Sequence, residues 1–445
     1  MSVTTEALRA NLGKTLAIWT PEDREFWVRQ GQAIANLNLW ISVPALFLAF
    51  AVWQLWSAVA VNLPALGFGF TPNQLFWLAA APALSGATLR IFYSFMVPVF
   101  GGRRWTAIST ASLLIPALGI GIALQYRDTS YATFLLLALL CGLGGANFSS
   151  SMANINFFFP MERKGSALGV NAGLGNLGVS AAQFMAPLVI AAGVYGPFAG
   201  APQTVARNGV QVEIWAQNVA FVWVPFIVIA AIAAWIGMND LTVARASLRQ
   251  QIVIFRRKHN WIMCWLYLGT FGSFIGYAAG FPLLIKNQFP AVNALAYAWM
   301  GPLLGAAIRP FGGWLADKLG GARVTFWNFI VMALAVGGVL WFMQAHSFAG
   351  FFACFMVLFL TTGIGNGSTF RMIPSIFPAK EASPVLGFTA AIGAYGGFFI
   401  PKSYGTSIEL TGSPQAALYV FIVFYVTCIA LTWWYYSRKG AEKPC

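Results

Sequence analysis

Charged side chains are scarce in this sequence. Asp, Glu, Lys and Arg make up 9% of its 445 residues, whereas a soluble domain carries about 25%. Hydrophobic residues make up 59%. This shortage of charge excludes an ordinary soluble domain, and the composition predicts an integral membrane protein.

Cysteine and histidine are also few, with five Cys and two His in the chain. No C-x-x-C pair occurs and no histidine stands at ligand spacing, so we expect no metal site and no disulfide. The sequence also has no nucleophile–base set and no cofactor motif, so we expect neither enzymatic activity nor a cofactor. One G-x-G-x-x-G match, Gly173 to Gly178, lies in an apolar run without a preceding strand, which argues against a nucleotide site.

What the chain has instead is a series of apolar runs of about 20 residues or more, each long enough to cross the hydrocarbon core of a bilayer. We count twelve of them and predict an all-α integral membrane protein with twelve transmembrane helices. The runs lie near residues 37–60, 74–100, 104–125, 131–158, 166–194, 218–238, 261–285, 293–316, 323–345, 348–372, 384–405 and 416–437.

Basic residues occur in the short loops between these runs, which indicates membrane orientation and not nucleic-acid binding despite a formal charge of +14. Twelve of them fall in one alternate set of loops, namely Arg103, Arg104, Arg163, Lys164, Arg245, Arg249, Arg256, Arg257, Lys258, Lys318, Arg323 and Lys380. Four fall in or beside the other set, namely Arg127, Arg207, Lys286 and Lys402. The positive-inside rule therefore predicts that both termini are cytosolic. No cleavable signal peptide is expected, because the first 36 residues are polar and mixed in charge.

Two motifs occur twice, about half a chain apart. The pattern R-x-F-x8-G-G-x-R-x-T begins at Arg90 and again at Arg309, and FP-x7-LG-x2-A-x2-G-x2-G begins at Phe159 and again at Phe377. A parallel repeat of two six-helix halves is typical of the major facilitator fold, whose substrate site lies between the halves. We predict an N-terminal segment (1–36), an N-terminal half (37–240), a linker (241–260), a C-terminal half (261–437) and a cytosolic tail (438–445).

Arg90 and Arg309 are the strongest candidate site residues. Each lies about ten residues before a glycine pair, and at 1.5 Å per residue this is roughly 15 Å from the membrane surface, near the bilayer centre. An arginine there needs a wet cavity or a partner, and no apolar run has an acidic residue near its middle. Snorkelling or pairing with backbone carbonyls is the structural alternative. The functional interpretation is that a small planar oxyanion is the partner, because a guanidinium offers a planar fork of donors.

Asn171 and Asn176 are the next candidates, since they place amide donors in a glycine-rich run. Glycine at this spacing is also ordinary helix packing. The corresponding positions in the second half are Thr389 and Ala394, so the predicted cavity is chemically asymmetric.

The segments GLGGANFSSSMANINFFFP, GVNAGLGNLGVS and GFTAAIGAYGGFFIPK closely resemble the paired signatures of the nitrate/nitrite porter family, the NarK-like bacterial proteins of the major facilitator superfamily. The resemblance extends over essentially the whole chain. It implies nitrate and nitrite as substrates and a bacterial inner membrane location. It also implies that the family's binding residues fall on Arg90, Arg309, Asn171, Asn176, Tyr267, Phe148 and Phe271.

We expect nitrate/nitrite exchange by alternating access, in a protein that functions as a monomer. Proton-coupled nitrate symport is the alternative, although no mid-span carboxylate or histidine is available to carry a proton. An anion channel or a membrane sensor is a remote alternative, because a channel needs a continuous polar pathway. Packing is the simpler interpretation for each of Phe148, Tyr267 and Phe271 when the residues are considered without the family resemblance.

Overall fold

The structure, a computed structural model, describes residues 14–207, 210–242 and 252–445. It confirms the predicted all-α membrane fold. We number the membrane helices α1 (Arg24–Asn62), α2 (Pro72–Tyr93), α3 (Gly102–Ala123), α4 (Tyr131–Phe158), α5 (Met161–Ile190), α6 (Asn218–Gly237), α7 (Lys258–Gln288), α8 (Met300–Leu319), α9 (Gly321–Gln344), α10 (Phe348–Ile376), α11 (Ala379–Ala394 continuing as Gly396–Thr411) and α12 (Gln415–Ser437). Two short sheets accompany them: β1 (Thr15–Leu16) pairs in parallel with β4 (Asp240–Leu241), and β2 (Gln203–Arg207) pairs antiparallel with β3 (Val210–Ile214).

Among the described residues, eleven of these helices are long and apolar enough to cross a membrane. The exception is α8, which carries Arg309, Asp317 and Lys318 within its 20 residues. These charges lower its hydropathy, and one of them, Arg309, makes it a candidate site helix.

The first helix begins earlier than the apolar run predicted. It starts after Asp23, whose Oδ1 accepts hydrogen bonds from the backbone N–H groups of Glu25 and Phe26. The polar lead-in also carries Trp19, Phe26 and Trp27, which are buried in one cluster with the ends of α4 and α5. Part of the predicted N-terminal segment therefore packs as a cap on these helices. Residues 1–13 of that segment and residues 243–251 of the predicted linker lie outside the described residues.

Both repeated motifs have the same local geometry in the two halves. Gly101 and Gly320, the first glycines of each pair, have φ of 88° and 91°, a region that disfavours any residue with a Cβ. Phe159 and Phe377 are both extended, with ψ of 143° and 145°, and both precede a proline that caps the following helix. These features mark equivalent positions in two similar halves.

The two faces of the bundle are distinguished by the chain ends. Leu16 pairs with Leu241, and the N–H of Ala322 donates to the backbone oxygen of Cys445 at 3.0 Å. We call the face that holds these residues the terminal face, and the opposite one, which holds the start of α2 and the end of α11, the far face.

The halves are in close contact at the far face. Phe76 of α2 packs on Tyr404 of α11, with ring centroids 5.9 Å apart. Ser180 of α5 donates to the backbone oxygen of Trp299, just before α8, at 2.9 Å. The far face is therefore closed by two helix pairs, α2 with α11 and α5 with α8.

The same helix pairs separate toward the terminal face. Along α5, the stripe that ends at Ser180 runs back through Asn176 to Gly173, Gly169 and Gly165; within the described part of the chain, a Cβ added to any of these three glycines would meet no atom within 4 Å. On α11, Gly397 packs on Ala83 of α2, whereas a Cβ added to Gly387 would likewise meet nothing described. The halves thus form a V that is closed at the far face and open at the terminal face.

Candidate functional site

Arg90 lies at the apex of this V and bridges the two halves. It is fully buried. Its Nε donates to the backbone oxygen of Gly145 on α4 at 2.8 Å, and its Nη1 donates to the backbone oxygen of Ala390 on α11 at 2.8 Å. One arginine on α2 therefore bonds to the N-terminal half and to the C-terminal half.

Aromatic rings surround the Arg90 guanidinium. Its carbon lies 4.8 Å from the ring centroid of Phe148, 5.0 Å from that of Trp53 and 5.2 Å from that of Phe271. Each ring offers a negative face to the cation. Trp53 can approach because Gly145 has no side chain, since a Cβ at that position would overlap the indole.

Arg309 occupies the corresponding place in the second half, and it is partly exposed. Its Nη2 donates to the hydroxyl oxygen of Tyr267 at 3.2 Å, and its carbon lies 5.7 Å from the ring centroid of Phe370. Tyr267 stacks on Phe271 at 5.3 Å, and Phe271 stacks on Phe148 at 6.3 Å. A stack of three rings therefore connects the surroundings of the two arginines.

The backbone of α7 turns irregularly at this stack. Residues Leu268–Gly272 form a π-helical turn immediately after Tyr267. Such turns insert one extra residue per turn and are frequent at functional sites. This one places Tyr267 and Phe271, four residues apart, on the side that faces the arginines.

Each arginine keeps one donor nitrogen free. Within the described part of the chain, Nη2 of Arg90 and Nη1 of Arg309 are buried and have no hydrogen-bond partner. Both groups are cations, and the ring stack connects their surroundings. Buried guanidinium donors without acceptors are unfavourable, so the site is suited to an anion that would accept from both.

Comparison with known proteins identifies the family. A sequence profile of the Major Facilitator Superfamily matches residues 44–401. The chain is 50% identical to the nitrate/nitrite transporter NarU of Salmonella typhimurium, over 96% of this chain and 97% of that protein. This chain belongs to the nitrate/nitrite porter family of the major facilitator superfamily. It is also 43% identical to the probable nitrate/nitrite antiporter NarK2 of Thermus thermophilus, over 98% of this chain and 100% of that protein.

A solved structure supports the fold independently. A bacterial homologue of the human lysosomal transporter Spinster, in an inward-facing and occupied conformation, matches with a TM-score of 0.66 at 14% identity, over 88% of this chain and 95% of that chain. At this identity the match concerns the fold alone. The resemblance to the porter family is thus confirmed, and the chain is a multi-pass membrane protein with the major facilitator architecture.

The two candidate asparagines of this porter occupy different surroundings. Asn176 lies on the α5 stripe that faces the second half, and its Nδ2 donates to the backbone oxygen of Ala172 at 2.6 Å. Asn171 points into the N-terminal half, where its Nδ2 donates to Oγ of Ser151 at 2.8 Å. Among the described residues, the amide oxygens of both have no partner. A role for either residue in substrate binding stays a prediction, and the geometry favours Asn176.

The structure brings Arg90, Arg309, Phe148, Tyr267 and Phe271 together at the apex, and it adds residues that sequence reasoning missed. Trp53 and Phe370 flank the two guanidinium groups. The sequence has 18 Trp and 39 Phe, so neither residue stood out. Arg90 pairs with two backbone oxygens, which was the structural alternative for an arginine near mid-span, although its Nη2 has no partner among the described residues.

Proposed function

We propose that this chain carries nitrate and nitrite across the bacterial inner membrane and exchanges one for the other by alternating access. The observation that carries the proposal is the pair of unsatisfied guanidinium donors, one from each half. The relatives, a nitrate/nitrite transporter and a probable nitrate/nitrite antiporter, supply the identity of the anion.

The chemistry of the site fits a small planar monoanion. Two arginines provide planar donor groups that match an oxyanion edge. The ring faces of Phe148, Phe271 and Trp53 lie against the Arg90 guanidinium. Asn176 supplies a neutral amide from the α5 stripe that faces the second half. The surroundings are otherwise apolar, which favours a weakly hydrated monoanion over a dianion such as sulfate.

Exchange follows from the repulsion between the two arginines. Closing the terminal face around an empty site would remove the water that screens the two cations, which raises their repulsion. A bound monoanion offsets much of that unfavourable energy. The return of the empty carrier is then slow and the return of the loaded carrier is fast, which couples inward nitrate to outward nitrite.

The predicted orientation assigns the terminal face to the cytosol, so the structure corresponds to an inward-facing state. The described basic residues of the first set of loops and both described chain ends lie at that face, which supports this assignment. Both arginines come from one chain, which supports a functional monomer. No cofactor is needed for such a carrier.

Counterflow in reconstituted vesicles tests the exchange. Vesicles loaded with nitrite should take up labelled nitrate, whereas vesicles without internal anion should take up little, whether or not a pH gradient is imposed. Nitrate uptake driven by a pH gradient into nitrite-free vesicles would contradict exchange and favour proton symport. Uptake that does not saturate with nitrate concentration would favour a channel.

A further inference from the structure

A lysine lies between the two halves at the far face, away from the arginine pair. Lys402 of α11 is half-buried, and its Nζ donates to Oδ1 of Asn73 on α2 at 3.1 Å and to Oγ1 of Thr406 at 2.8 Å. The ammonium also lies 4.9 Å from the ring centroid of Trp77 on α2. Nδ2 of Asn73 in turn donates to Glu409 at 2.5 Å. Asn73 therefore links the lysine and the glutamate across the closed far face.

The other half closes the same face without a charge. The repeat that aligns Phe159 with Phe377 also aligns Phe184 of α5 with Lys402 of α11. Phe184 packs on Trp299 next to α8, with ring centroids 5.0 Å apart. Together with the Ser180 hydrogen bond, this uncharged contact closes one helix pair, so closure alone does not account for a cation in the equivalent contact.

Opening the far face would release the Lys402 charge. Asn73 and Trp77 are on α2 and would move away from α11 with the other half, while Thr406 would stay. Glu409, on the same helix, binds the other end of the Asn73 amide, so it lies near Lys402, but the two side chains form no direct ion pair. Lys402 lies twelve residues from Ala390, the α11 contact of Arg90, or about 18 Å along the helix.

We propose that Lys402 is an anion-capture residue of the far vestibule. Its ammonium is held by Asn73 while the far face is closed, and it becomes available to an incoming anion when α2 and α11 separate. The proposal rests on the proposed function, since it concerns how nitrate enters from the far side. Lys402 would then be a third cation in the transport pathway. It would bind anions that enter from the far face only, whereas the two arginines bind anions from either face.

The test compares uptake from the two faces of the membrane. In right-side-out vesicles loaded with nitrite, Lys402→Gln should raise the KM for external nitrate by about tenfold at low ionic strength. The difference from wild type should shrink as potassium gluconate is added, because salt screens the lysine charge. In everted vesicles, where nitrate enters from the terminal face, the variant should keep the wild-type KM.

Three further variants separate charge capture from other roles. Lys402→Arg should keep the wild-type KM, and so should Lys286→Gln, which removes an exposed cation of the same face at the end of α7. Asn73→Ala removes the hydrogen bond between the halves but leaves the Lys402 charge. This variant should therefore also keep the wild-type KM for external nitrate and the wild-type dependence of that KM on salt.

The inference would be overturned if Lys402→Gln did not change the KM for nitrate, or changed it equally from both faces. The proposed function would still stand in that case, provided that the wild-type protein exchanged nitrate for nitrite. Asn73→Ala that reproduced Lys402→Gln would also overturn it, because the effect would then belong to the contact and not to the charge. A wild-type protein that exchanged no nitrate in either orientation would instead overturn the proposed function.

Discussion

At the scale of single residues, the two arginines have unequal surroundings despite their matching positions in the repeat. Arg90 is fully buried, bonds to two backbone oxygens and touches three rings. Arg309 is partly exposed and bonds to one hydroxyl. The first is fixed by both halves, whereas the second is held by Tyr267 and faces the open side. We infer that Arg90 positions the anion and that Arg309 meets it first from the terminal face.

Lysine at either position should impair transport strongly. Arg90→Lys and Arg309→Lys keep the charge but lose the planar fork, and a hydrogen bond to a charged group contributes about 1.5–3 kcal/mol. We therefore expect nitrate affinity to fall by roughly 10- to 100-fold in each variant, measured by titration calorimetry on purified protein.

The matched control is Arg29→Lys, at an exposed arginine that pairs with Glu25 on the surface of α1. It should bind nitrate as the wild type does. Normal affinity in Arg90→Lys or in Arg309→Lys would remove that arginine from the binding site.

At the scale of elements, the ends of the helices were predicted less well than the helices themselves. Hydrophobic runs of membrane length defined the spans. The early start of α1 and the packing of Trp19 and Trp27 on α4 and α5 depend on contacts between residues far apart in the chain, which no local pattern encodes. Asp240 is a second case: it was predicted only as the end of the N-terminal half, and it anchors the turn before α3.

Asp240 accepts a hydrogen bond from the backbone N–H of Arg103 at 2.8 Å and pairs with the Arg103 side chain at 3.3 Å. Its side chain is 9% exposed. Asp240→Ala would leave the backbone N–H and the Nε of Arg103 without their acceptor, so we expect a loss of about 2–4 kcal/mol in the free energy of unfolding. Denaturant titration of the purified protein in detergent measures it.

Glu25→Ala is the comparison for this prediction, because Glu25 forms an exposed pair with Arg29 and should change stability by no more than about 0.5 kcal/mol. Equal effects of the two substitutions would show that Asp240 does not anchor the turn. The predicted boundaries of the halves and the linker remain predictions in either case.

At the scale of the whole molecule, the twofold repeat explains why the site lies where it does. Two similar halves meet at an apex, each contributes one arginine, and Gly397 and Gly405 of α11 let this helix approach α2 at the far face. The repeated motifs and the mid-span arginines were sufficient to predict the architecture and the pair of cations. The sequence could not predict which face is open. One sequence adopts both the inward-open and the outward-open conformation, and the two differ little in free energy.

Closure of the far face should therefore depend on small residues along α11. A Cβ added to Gly397 would press on Ala83 of α2 and on Ile275, so Gly397→Leu should wedge the halves apart. Overpacking of this kind opposes closure by about 1–3 kcal/mol, and we expect exchange to slow by about tenfold or more.

An Ala80→Cys reporter, at a buried position on the α2 stripe between Phe76 and Ala83, should react faster in the Gly397→Leu variant with an impermeant maleimide added at the far face. Gly387→Leu, on the same helix but facing the open side within the described structure, should leave the rate of labelling at the far face unchanged. If both leucine variants changed the labelling rate alike, the contact of Gly397 with α2 would not control closure of the far face.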